Sequence, residues 1–432
     1  MLDHHKGFIR LSFLFSVSTI CLYSTRDDVL KRVSSSDRGK HGQVLPNPGR
    51  ALTTLFLLNT GFSLSMESVN ALFPLYVQSL GASIPEVGFL LTASGLLSTS
   101  LMLFTGYMCD KFGRKSTMFL SVILACFPPL LYTFTTDWRQ LIPWTMIFSA
   151  SFAVFIPARM VYIADCTTSE DRTKIYGYMN IALPIGHFIG PMVAGILANS
   201  WGFYHPFYFA TAVSLLCLVP ASLVVEPPTL RDSLSSDSST KTSYTNGFSR
   251  KAICILAILT LYQFLVSLGI GTSYSLLSIY LESTFLADEL HVGLFFSLTG
   301  LALFPSQIIG GSASSRFGLR KFMILCLTFI PFLCVACASA TNYELFTLTY
   351  VLLYALYSMT WPASVAILMN IVERSKWGLA TGMRQTGVRL GFTVGPTLGA
   401  ILWNVYGATT PFWASAILIA ASSLLLLLLR EE

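Results

Sequence analysis

The chain has 432 residues, 53% of them apolar and 11% charged, with a mean hydropathy of +0.65. A chain so poor in charge cannot present the surface of an ordinary soluble domain to water, so lipid must solvate most of it. The net charge of +6 sits mainly in loops and reflects membrane topology rather than nucleic-acid binding.

In chain order, residues 7–23 (GFIRLSFLFSVSTICLY) have the apolar character of a signal-peptide core behind Lys6, but no small-residue cleavage site follows. Residues 1–50 are therefore expected to be a non-spanning, cytoplasmic extension. Apolar runs long enough to cross roughly 30 Å of hydrocarbon, which takes about 20 helical residues, then recur. They lie near 52–78, 87–109, 116–135, 140–164, 175–199, 205–225, 252–282, 290–312, 321–340, 344–371, 378–402 and 411–429. We number these spans 1 to 12. Their length, without short alternating segments, predicts membrane helices rather than a barrel. The organisation expected is a six-helix bundle over 51–225, a Ser/Thr-rich mobile cytoplasmic linker over 226–251, and a second six-helix bundle over 252–432.

One set of loops carries Lys111, Arg114, Lys115, Arg172, Lys174, Arg231, Lys241, Arg250, Lys251, Arg316, Arg320, Lys321, Arg374 and Lys376, whereas the opposite set carries only Arg139. Positive loops stay cytoplasmic, which places both termini there, with the plasma membrane as the expected location. The nine cysteines lie mostly inside spans and form no disulfide framework, and the Cys334/Cys337 pair reads as packing. No metal-ligand spacing, cofactor motif or catalytic constellation is present in the sequence: it has neither H-E-x-x-H nor G-x-S-x-G nor a phosphate-binding GxxxxGK[ST] loop.

Sliding the chain against itself exposes a repeat at an offset of 205 residues. Eight of the nine glycines from Gly88 to Gly202 fall on another glycine: 88/293, 95/300, 106/311, 113/318, 177/382, 186/391, 190/395 and 202/407. At about 7% glycine, chance supplies fewer than one such match. Gly195 meets Ala400, and Pro157, Pro191 and Pro206 keep the register with Pro362, Pro396 and Pro411. Duplication of a six-helix unit follows. Glycines let helices approach closely where lipid removes the hydrophobic drive to associate.

The connection between spans 2 and 3 reads GYMCDKFGRK, Gly106 to Lys115, and that between spans 8 and 9 reads GSASSRFGLRK, Gly311 to Lys321. Both resemble the G-x-x-x-D-R-x-G-R-K signature of the major facilitator superfamily, at the expected place in each half. The resemblance implies a twelve-helix, all-α membrane fold of two pseudo-symmetric bundles, working by alternating access. It also implies a cytoplasmic gate of Gly106, Asp110, Lys111, Gly113, Arg114, Lys115 and Asp165, with Gly311, Arg316 and Gly318 in the second half. Asp110 is expected against the N-terminus of span 11 when the cytoplasmic side is closed, and Asp165 is a candidate partner of Arg114. Ser315 stands where the second half would repeat Asp110.

Gly190-Pro191 and Gly395-Pro396 are expected to bend spans 5 and 11 and to let them lie against partners. The first resembles a motif of proton-coupled antiporters. The arginine those antiporters carry early in span 4 is absent from PWTMIFSASF, Pro143 to Phe152, which argues against a drug antiporter.

Polar residues at membrane depth are costly and become candidate cavity residues. Span 1 places Asn59, Ser63, Glu67 and Asn70 on one face, and span 7 does so with Gln263, Ser267, Tyr274 and Ser278. Span 10 presents Tyr350, Tyr354, Tyr357 and Trp361, a stripe that suits an organic, partly apolar or cationic solute. Glu67 is the candidate for coupling to protons, with His187 as a second relay. Arg159, Arg384 and Arg389 can neutralise Glu67, meet an anionic solute or snorkel. The expected partners are a small-molecule substrate, protons and the bilayer, without nucleic acid or cofactor, and the chain is expected to act as a monomer. The expectation is a secondary transporter, proton-coupled, with efflux or antiport favoured; a facilitative uniporter or a non-transporting sensor on the same scaffold are the alternatives.

Overall fold

A computed structural model describes residues 48–167, 172–226, 250–372 and 377–427. The expected extension up to residue 47, most of the linker (227–249), and Arg231, Lys241, Arg374 and Lys376 lie outside the described residues. All regular structure among the described residues is helical. Among the described residues ten helices are long and apolar enough to cross a membrane. The family pattern of twelve is completed by Pro48–Asn70 in span 1 and Trp377–Tyr406, span 11, which carry Glu67, Arg384 and Arg389.

Spans 2 to 6 are Ile84–Phe112, Arg114–Tyr132, Leu141–Asp165, Arg172–Asn180 with Ala182–Trp201, and Tyr204–Leu223. Span 7 is Arg250–Tyr274 followed by Leu277–Phe285, and spans 8, 9, 10 and 12 are Glu289–Phe317, Leu319–Ala338, Tyr343–Ile371 and Thr410–Leu427. Span 1 breaks after Asn70 and resumes as Phe73–Ser79, because Pro74 has no N–H to return to the Asn70 carbonyl. Span 7 breaks at the corresponding place without a proline. The turns between spans 2 and 3 and between spans 8 and 9 are each a single glycine, Gly113 and Gly318, both at φ 88°. That is tighter than a two- or three-residue turn, and only glycine adopts this backbone without strain.

Within the first half, span 1 packs on spans 5 and 6, span 3 on spans 4 and 6, and span 2 on span 4. The second half repeats this with span 7 on 11 and 12, span 9 on 10 and 12, and span 8 on 10. The halves meet through spans 5 and 8 and through spans 2 and 11. Phe104, Leu216 and Phe332 are among many large side chains left exposed, as a lipid-facing rim requires.

The repeated glycines differ in what surrounds them. Those where span 2 crosses span 11 and span 5 crosses span 8, away from the basic loops, sit in close crossings, while Gly202 and Gly407 form turns beyond them at φ 99° and 103°. A Cβ on Gly88 would lie 2.7 Å from the Pro396 carbonyl oxygen, and one on Gly293 would meet that of Pro191. A Cβ on Gly195 would fall 2.9 Å from Gly293 Cα. The seam is thus built twice, at positions related by the sequence offset. Towards the basic face, Cβ atoms on Gly106, Gly177, Gly311 and Gly382 would meet nothing within 4 Å. The hydrogen bonds of spans 2 and 11 follow the same division: Thr397 Oγ1 donates to the Gly88 carbonyl at 3.2 Å and Thr99 pairs with Thr393 at 3.1 Å. The chain is therefore clamped at one face and parted at the basic face.

Candidate functional site

A cavity of about 450 Å³ lies between the halves, within the range of small-molecule sites. Ser63, Glu67, Asn70, His187, Tyr274, Tyr354 and Arg389 line it, together with Ser278, Gly95, Pro191 and Pro396. Asn59, Arg159, Gln263, Ser267, Tyr357, Trp361 and Arg384 do not belong to its wall. Tyr357 is fully buried, with Trp361 against its ring at 5.5 Å. Tyr350 is buried likewise, so three of the four stripe residues pack away from the cavity wall. Tyr354 reaches the cavity and stacks on Tyr274, with centroids 5.7 Å apart and 14° between planes.

At the cavity wall His187 Nε2 stands 3.4 Å from Glu67 Oε1. The other ring nitrogen, Nδ1, is 3.1 Å from the Leu183 carbonyl oxygen. A carbonyl only accepts, so in this contact Nδ1 carries the ring hydrogen and Nε2 faces the Glu67 carboxyl group. Gly190 makes this possible, since a Cβ there would stand 3.0 Å from Glu67 Cβ. His187 is also part of the seam, because a Cβ on Gly300 of the other half would run into its carbonyl group.

The residues absent from the wall form two further sites, one in each half. In the first, Arg159 donates to Asn59 Oδ1 at 2.9 Å and to Asn180 Oδ1 at 3.3 Å, while Asn59 Nδ2 donates to the Met179 carbonyl at 2.9 Å. In the second, Arg384 donates to Gln263 Oε1 at 3.2 Å, to Ser364 Oγ at 3.4 Å and to Gln385 Oε1 at 3.3 Å. Adding 205 takes Arg159 to Ser364 and Met179-Asn180 to Arg384-Gln385, and adding 204 takes Asn59 to Gln263. Each half thus buries one guanidinium against an amide of its first span, at the same crossing, and different spans supply it. Both arginines are at least nine-tenths buried, so these bonds offset a large desolvation cost. Shifting the offset from 205 to 204 ahead of span 2 is the signal that finds this equivalence in the sequence, and it pairs Ser63 with Ser267 and Glu67 with Gly271.

At the basic face Arg114 Nε donates to Asp165 at 2.8 Å, and Arg114 also pairs with Asp110 at 3.3 Å. Asp110 is 75% exposed in this parted arrangement. Glu226, which the sequence places at the start of the linker, completes the cluster. Its two carboxylate oxygens accept from the backbone N–H groups of Arg114 and Lys115 at 2.7 and 2.8 Å. It thereby caps the N-terminus of span 3, whose own preceding residue, Gly113, has no side chain to do so. A Cβ on Gly113 would come within 2.8 Å of that carboxylate.

Residues 55–268 and 259–432 match the family model of the Major Facilitator Superfamily, and the chain belongs to that superfamily. It is 23% identical over 357 residues to Multidrug resistance protein 2 of Bacillus subtilis (strain 168), covering 82% of this chain and 88% of that protein. It is 24% identical over 389 residues to Quinolone resistance protein NorA of Staphylococcus aureus (strain MSSA476), covering 85% and 92%. Among solved structures, D-xylose-proton symporter superimposes with a TM-score of 0.72 at 15% identity, over 89% of this chain and 98% of that one. A bacterial homolog of the human lysosomal transporter Spinster, solved inward-facing and unoccupied, gives 0.71 at 13% identity, over 89% and 96%. The chain is a multi-pass integral membrane protein and a secondary transporter of small molecules.

Proposed function

We propose that this chain is a proton-coupled exporter of an organic solute, an antiporter of the plasma membrane whose termini are cytoplasmic. On that orientation the parted basic face opens to the cytoplasm, and the conformation described is the one that loads an exported solute. The observation that carries the coupling is the Glu67–His187 contact at 3.4 Å, inside the cavity and at the seam of the halves. A proton held there is exchanged with whichever side the cavity faces, because the span 5 backbone that carries His187 rests on span 8 of the other half. The names of the curated relatives, a multidrug and a quinolone resistance protein, support the export direction. Asp110, Arg114, Asp165 and Glu226 form the cytoplasmic gate that reassembles when the cavity turns outward. Solute and protons are the partners of this cycle, and one chain contains the complete cavity.

The test is flux in proteoliposomes with an imposed pH gradient. Glu67→Gln is expected to abolish gradient-driven transport while solute binding survives, and unchanged gradient-driven flux in that variant removes Glu67 from coupling.

A further inference from the structure

Three arginines stand at membrane depth in spans 4 and 11, and they differ in what meets the guanidinium. Arg159 and Arg384 are held by amide and hydroxyl oxygens of their own halves. Arg389 instead lines the cavity, with its guanidinium carbon 4.7 Å from the centroid of Phe152. Among the described residues no carboxylate lies within ion-pair reach of Arg389. A ring face attracts the charge but leaves the five N–H donors without strong acceptors. Glu67, the one acidic residue of the cavity wall among the described residues, is engaged by His187 on span 5. The wall therefore presents an unneutralised cation and a carboxylate already occupied. Phe152 belongs to the first half and Arg389 to the second, so a guest at this guanidinium touches both halves. The parallel rings of Tyr274 and Tyr354 line the same cavity and offer a flat face to an aromatic body.

We propose that the cavity selects an amphipathic organic anion, whose carboxylate, sulfonate or phosphonate is held by Arg389 while its aromatic body packs against Tyr274 and Tyr354. This keeps the organic, partly apolar body that the aromatic stripe suggests and makes its charge negative, where the stripe alone also admits a cation. An oxyanion group with two terminal oxygens takes two parallel N–H bonds from a guanidinium, and a low-dielectric cavity strengthens them. The assignment rests on the reading of this cavity as the transport site, and is independent of the proton role of Glu67.

The experiment uses the full chain in detergent and three probes of one shape: 2-naphthoate, 2-naphthamide and 2-naphthylmethylammonium, with binding measured by calorimetry. The expected order is naphthoate, then amide, then ammonium, with at least about a tenfold gap between the first two. Arg389→Gln is expected to remove that gap, and Arg389→Lys, which keeps the charge, to retain part of it. Absence of naphthoate binding, equal affinities, tighter binding of the ammonium probe, or an anion preference that survives in Arg389→Gln would each overturn the proposal. So would a loss in Arg389→Lys as complete as in Arg389→Gln. Failure of the coupling scheme shows elsewhere, as pH-driven flux unchanged in Glu67→Gln with the anion preference intact.

Discussion

Arg159 of span 4 and Arg384 of span 11 occupy the same crossing in opposite halves, each bonded to an amide of the first span of its own half, Asn59 or Gln263. Their positions do not correspond in the repeat, because Arg159 aligns with Ser364 and Arg384 with Met179. Two solutions to one packing problem have arisen on a duplicated scaffold. Arg159→Ser is therefore expected to leave the Asn59 and Asn180 acceptors unmet and to destabilise the protein by about 1–3 kcal/mol. Adding Met179→Arg rebuilds the second-half arrangement in the first, and is expected to recover part of the loss. Melting temperatures of the purified single and double variants decide this; a double variant less stable than Arg159→Ser contradicts the equivalence.

The glycines at the clamped face and at the parted face predict opposite responses. Gly195→Val places a branched side chain where a Cβ alone meets Gly293 Cα at 2.9 Å. The clamp between spans 5 and 8 then cannot close, and the population moves away from the basic-face-open form. Gly106→Ala meets nothing within 4 Å and leaves this form unharmed. Labelling of a cysteine at the cavity residue Ser278 by an impermeant maleimide reports the shift. More labelling from the non-basic side in Gly195→Val, with little change in Gly106→Ala, is the expected pattern.

Asp110 is exposed and pairs only locally with Arg114 in the described conformation, so its expected contact with span 11 belongs to the alternate state. Removing its charge costs that state the carboxylate–helix attraction, about 0.3–1 kcal/mol. Asp110→Asn is therefore expected to raise the population open at the basic face by roughly twofold to fivefold. Accessibility from the two sides that is the same before and after the change would sink this expectation.

Asp288 caps span 8 and accepts the His291 backbone N–H at 2.8 Å. That bond chiefly, with the His291 ring beside it, holds the carboxyl below its ordinary value of 3.8. A depressed value means stability present above pH 3.8 and lost as pH falls through the lower folded value. Asp288→Ala is expected to cost about 1 kcal/mol near neutrality, and Asp288→Asn, which still caps, clearly less. The wild-type curve should fall towards those of the two variants as the pH drops below 3.8, whereas the difference between Asp288→Asn and Asp288→Ala, which involves no carboxylate, stays unchanged. A wild-type advantage that persists undiminished there assigns the effect to something other than this carboxylate.

Much of the fold was legible before any coordinates. Gly106 to Lys115 and its counterpart at Gly311 to Lys321 located the two glycine turns at the basic face, and the glycine register located the seam. Within the cavity, Glu67, His187, Tyr274, Tyr354 and Arg389 were visible as costly polar or aromatic residues at membrane depth. Asn59, Gln263, Arg159 and Arg384 carried the same signal but turn inward within each half. Polarity at depth says that a side chain needs partners, without saying whether protein or solute provides them. Glu226 gave no signal at all, since nothing near it in sequence marks a cap for a helix more than a hundred residues earlier.

The sequence by itself determined twelve spans, their duplication and which loops share a face, because span length, glycine register and loop charge are one-dimensional quantities set by bilayer thickness and membrane potential. Only the tertiary structure decided which side each span turns to its neighbours. Lipid-facing and protein-facing positions are both apolar here, so hydrophobic periodicity barely distinguishes them. That rotation brings His187 to Glu67, turns Arg159 and Arg384 away from the cavity, and leaves Arg389 facing it with the Phe152 ring beside its charge.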